Sequence, residues 1–125
     1  MQEFRDLRWG TMQPVVLVLS SGIAPITGFG DYACAVTDPA RLAGAAGGAQ
    51  GRDAIDAVAP RLKSALSLAF GDALAELGAG KADVAAIAAD SDAIAAAMRA
   101  KVEPLFDELG LTLSMLTIGA IRRAG

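Results

Sequence analysis

What the chain lacks narrows its chemistry as much as what it holds. It has no histidine, which removes the commonest general base, histidine-activated nucleophiles and most zinc sites. Its single cysteine, Cys34, excludes an internal disulfide and fits a reducing compartment. Cys34 shares an extended-strand face with Tyr32 and Val36, so it reads as core packing in preference to a reactive or modified thiol. Asp90 and Asp92 could pair as carboxylates, but aspartate belongs near helix N-termini and a polar helix start is the simpler reading. The run Gly28-Phe29-Gly30-Asp31 has the glycines of a phosphate loop without its lysine or its following helix. Arg122-Arg123, the only adjacent basic pair, could touch anionic lipid, yet terminal charges are more often simply solvated. Trp9 could be an interface aromatic; packing of the N-terminal segment against a sheet is the favoured reading. No catalytic, cofactor-binding or metal-ligating residue is expected, no cofactor is implied, and the chain reads as a non-enzyme.

Bulk properties agree. A length of 125 residues suits one domain, residues 1–125, with a single core. Hydrophobic residues make up 54% and mean hydropathy is +0.44, which argues against disorder. Aromatics are only 5%, so an aliphatic core with closely approaching helices is expected. A net charge of −3 and a pI near 4.8 argue against a nucleic-acid partner. The N-terminus, MQEFRDLRWG, has no apolar signal-peptide core. The longest strongly apolar run, Val15 to Leu19, is far short of the roughly 20 residues that span a bilayer. A soluble chain is expected.

The elements that must position these residues follow from spacing. Residues 1–13 read as a polar lead-in carrying Phe4, Leu7 and Trp9. Pro14 to Leu19 reads as a short buried strand, Ser20-Ser21-Gly22 as a turn, and Ile23 to Thr37 as a second strand, giving a hairpin. On that second strand Ile26, Tyr32, Cys34 and Val36 share a face, while Gly28 and Gly30 suggest a bulge or a close backbone approach. Asp38-Pro39 is a helix start, cap then first position, and the short helix should run to about Ala46. From Gly51 to Leu77, apolar residues at 55, 58, 62, 66, 69/70, 73/74 and 77 trace one helix face, with a kink or new start expected at Pro60. Asp83 to Ala89 suits a turn or two of helix. A second long helix follows from about Ser91, with Ile94, Met98, Val102, Leu105/Phe106 and Leu109 inward, a bend at Pro104 and a stop at Gly110. The final LTLSMLTIGAIRR is strand-like, and its apolar residues Leu111, Leu113, Leu116, Ile118 and Ile121 slip phase near Ser114-Met115. The fold class is α+β: a small, mainly antiparallel sheet of about three strands, the N-terminal hairpin plus the C-terminal strand, packed on one side by two long bent helices.

Three stretches together resemble the SPFH or band 7 domain of stomatins, prohibitins and flotillins. They are the glycine-terminated helix leading into the final strand, the junction Tyr32…Val36…Asp38-Pro39, and LRWGTMQP with FGDYACAVTDP. The last two resemble a bacterial, virion-core-like SPFH subgroup. The family usually carries a further N-terminal β region before the Trp-Gly-Thr tract, so the chain reads as an excised core or as one truly lacking those strands. Ala35 stands where the family often has arginine, and Cys34 maps to no known anchor motif. The resemblance implies a membrane-associated scaffold module that self-associates, as a dimer or small oligomer, and organises membrane patches or client proteins. It would lie in the cytoplasm, peripheral to the inner face of the membrane. The alternative is a small apolar-ligand-binding protein or enzyme using a cleft between the sheet and the Ala-rich helices.

Overall fold

The structure, a computed structural model, describes residues 2–124. In chain order it comprises β1 (Glu3–Gly10), β2 (Val15–Leu19), β3 (Gly22–Val36), α1 (Pro39–Ala45), α2 (Gly51–Leu77), α3 (Val84–Ala89), α4 (Ser91–Glu108), β4 (Leu111–Leu116) and β5 (Ala120–Arg123). This is the expected α+β layering of one antiparallel sheet against helices.

The sheet is organised by β3, with which all four other strands pair antiparallel. Phe29 lies between Gly10 and Ala120, Ile26 between Val15 and Arg123, and Ala35 between Glu3 and Thr112. A strand has only two edges. β1 and β2 therefore run end to end along one edge of β3, and β4 and β5 along the other. The sheet has five strands where about three were expected, yet it is three strands wide, because each outer row is broken once, at residues 11–14 and 117–119.

The polar lead-in is a correction: residues 3–10 form a strand. Phe4 and Trp9 are buried while Glu3, Arg5, Asp6 and Arg8 are exposed. Regular alternation is hidden because the register shifts between Phe4 and Leu7, leaving Arg5 and Asp6 opposite Ala33. Asp6 takes a φ of 57°, which aspartate tolerates better than most residues. On the other edge, Ser114 is the extra residue between Leu113 and Met115, the phase slip expected there. Both bulges flank Ala33.

Core formation follows the two periodicities. Ile26, Tyr32, Cys34 and Val36 point to the helix side and are buried, as are Ile55, Val58, Leu62, Leu66, Phe70 and Leu74 of α2 and Ile94, Met98, Val102 and Phe106 of α4. Leu77, expected inward, is exposed at the end of α2. Trp9 packs on Phe70 with ring centroids 5.3 Å apart, and Tyr32 meets Phe106 edge-on at 6.3 Å. A Cβ on Gly28 would strike the Phe70 ring, and one on Gly30 the Thr117 carbonyl; close approach is the reason for both glycines. No new start occurs at Pro60: α2 is one helix of 27 residues through it, and α4 likewise continues through Pro104. The lost backbone bond is offset by burial of the apolar face on both sides of each proline.

Candidate interaction surfaces

Cys34, Tyr32, Asp90, Asp92 and Trp9 occupy structural positions. Cys34 is fully buried, and burial, with the nearby Glu3 charge, pushes its thiol up to about 11; it is no thiolate nucleophile at neutral pH. Burial and then the Cys34 charge likewise raise Tyr32 to about 12, against the opposing pull of Arg52. Asp90 precedes α4 and forms an ion pair with Lys81, while Asp92 lies in the first turn of α4. Gly28-Phe29-Gly30-Asp31 is the middle of β3, not a loop. Trp9 is buried and its Nε1 donates to the Thr117 carbonyl at 3.0 Å. Among the described residues, no three of His, Cys, Asp and Glu gather as a metal site, and no helix is long and apolar enough to cross a membrane. The seam between the sheet and the long helices, the place for an apolar ligand on the alternative reading, is filled by core side chains. A cleft of about 390 Å³ lies elsewhere, between α1, the start of α2 and the end of β3, lined by Val36, Leu42 and Ala43 among others.

The surface offers more. Odd-numbered β3 residues face away from the helices, and on that outer face Ile23 is 66% exposed and Phe29 50%. Ile23 pairs with Val18, and Pro25 with Val16, both valines 65% exposed. Arg122 pairs with Thr27 beside them, its guanidinium 5.7 Å from the Phe29 ring centroid, a cation–π contact. Farther along the same face Arg8 lies opposite Asp31, and Arg5 is paired with Glu3 at 2.9 Å. Sequence reasoning placed Val15 to Leu19 in a buried strand and missed that Val16 and Val18 face out. The signal was present: residues 11–30 carry no ionisable side chain, and a hairpin apolar on both faces, covered on one, must expose the other.

A second apolar patch lies at the side. Met12 and Leu68 are 71% and 68% exposed. The Met12 N–H donates to Ser67 Oγ at 3.2 Å, which holds residue 12 against α2. The adjoining β2 edge is partly closed by the α2–α3 connection: Gly80 N–H donates to the Val18 carbonyl at 3.0 Å, and Ser20 N–H to the Lys81 carbonyl at 2.9 Å.

Compared with known protein families, residues 1–123 match the SPFH domain-Band 7 family. The chain belongs to that family. A search of curated proteins found no match. The band 7 match covers every strand and helix described above, so the Asp38-Pro39 junction and the broken final strand are parts of one family domain. The family is generally one of membrane-associated, non-enzymatic scaffolds.

Proposed function

We propose that this band 7 domain is a non-enzymatic scaffold module that self-associates at a membrane and organises membrane patches or client proteins. The observation that carries the reading is the family match over residues 1–123. Within the family, the Trp9-Gly10-Thr11 tract points to the bacterial virion-core-like subgroup. The module would work in the cytoplasm, peripheral to the inner face of the membrane. The uncovered apolar outer face of the hairpin supports it physically, because a monomer with no docking role rarely exposes such a cluster. The lateral patch of Met12 and Leu68, beside the part of the β2 edge left open, suits contact with a second copy. Its small size fits a weak dimer or small oligomer.

Sedimentation at several concentrations tests this. Mass should rise with concentration, and Leu68→Glu should shift the protein toward monomer without altering its circular dichroism. A strict monomer at high micromolar concentration would remove self-association from the reading.

A further inference from the structure

The outer face of the hairpin poses a separate question, because its occupant need not be a second copy. Val16, Val18 and Ile23 form an exposed apolar group at the hairpin end of the sheet, and Phe29 lies farther along the same face, beyond Thr27. The segment bearing them, residues 11–30, is uncharged, and the turn at its tip, Ser20-Ser21-Gly22, is exposed and free of charge. Such a surface presents a few hundred Å² at most, below the roughly 800 Å² that each partner of a stable protein pair buries. A bilayer requires no matching protein surface. Shallow insertion of a few apolar side chains, flanked by cationic ones, is sufficient for reversible binding.

Charge is distributed in the same sense. Eleven of the fourteen acidic residues lie between positions 38 and 108, with seven of the eleven basic ones, so the helical layer carries −4. The strand segments hold four arginines against Glu3, Asp6 and Asp31, a net +1. Arg5, Arg8 and Arg122 are on the outer face with Glu3 and Asp31, and Arg122 borders Phe29 directly. An anionic surface would attract the sheet side and repel the helix side, which fixes one orientation. Arg123 is exposed but opposes Ile26 on the strand's other face, so the two adjacent arginines do not act as a pair.

We infer that the outer sheet face, led by Val18 and Ile23 at the hairpin tip with Arg122 behind them, is the surface by which this module lies on an anionic lipid bilayer. This rests on the scaffold reading and deepens it by naming the lipid class and the contacting residues. The helices then face away from the bilayer, and the lateral Met12–Leu68 patch stays free in the membrane plane.

Co-flotation with vesicles tests the assignment, using phosphatidylcholine alone and phosphatidylcholine mixed with phosphatidylserine. The unaltered chain should float with the mixed vesicles and much less with the neutral ones. The double variant Val18→Ser, Ile23→Ser changes only exposed side chains, and should lower partitioning more than tenfold with an unchanged circular dichroism spectrum. Arg122→Gln should lower it about fivefold on mixed vesicles only. Failure of the unaltered chain to float overturns the inference, as does equal binding to both vesicle types or indifference to the double variant. If the double variant instead converts a sedimenting oligomer to monomer, the face belongs to a second copy. The bilayer assignment then falls while the self-associating scaffold stands.

Discussion

Replacing Gly110 with alanine should be among the most damaging single-methyl changes in this fold. Gly110 ends α4 with a φ of +76°, a conformation costing an L-residue about 1–2 kcal/mol. Its carbonyl accepts from Thr37 N–H at 2.9 Å, Asp38 N–H at 3.0 Å and Thr37 Oγ1 at 3.1 Å, tying the start of β4 to the strand–helix junction. A Cβ there would run into the Asp38 backbone carbonyl and lie 3.2 Å from Arg41 Cβ. Neither neighbour can swing aside, since the Asp38 carbonyl already accepts from Leu42 N–H in the first turn of α1. Loss of two or three hydrogen bonds at about 0.5–1.5 kcal/mol each, added to the backbone term, gives about 2–6.5 kcal/mol. Gly47 is the internal control: its φ is +68°, and nothing lies within 4 Å of a Cβ added there. Gly47→Ala should therefore show the backbone term alone, about 1–2 kcal/mol. Urea denaturation of both variants, with equal m-values, measures the difference. If Gly110→Ala costs no more than Gly47→Ala, the packing of that turn on the Asp38 carbonyl is not what holds the junction.

Two further outcomes are expected. Asp38 accepts from Arg41 N–H at 3.1 Å as the N-cap of α1, so Asp38→Ala should lose about 0.5–2 kcal/mol and Asp38→Asn almost nothing; equal losses in a denaturation series would mean the carboxylate charge matters more than the cap. Cys34 and Tyr32 are neutral when protonated and are raised from 9.0 to about 11 and from 10.0 to about 12 by burial. Their contribution is complete below about pH 9 and is lost as the pH climbs through 11 to 12, so urea midpoints should fall above pH 9, with Cys34→Ala delaying the onset.

Much of this domain is readable from local rules. The 3- and 4-residue spacing of α2 and α4, the Asp38-Pro39 start and the Gly110 stop all act within one or two helical turns, where neighbours in sequence are neighbours in space. The phase slip at Ser114 was legible because apolar residues lie on both sides of it. The bulge of β1 was not: Asp6 shifts Leu7 out of step with Phe4, and a polar strand with broken alternation resembles a lead-in until β3 supplies its partner. The exposed face bearing Val16, Val18, Ile23 and Phe29 could not be assigned either. Both faces of the hairpin are apolar, and only the packing of α2 and α4 decides which one is covered. Sequence alone determined the helices, the hairpin, their order and the likeness to the family, but not β1 or the division of the last strand. Tertiary structure decided which edge each outer strand takes and which apolar face is left to meet something else, because that depends on contacts between residues far apart in the chain.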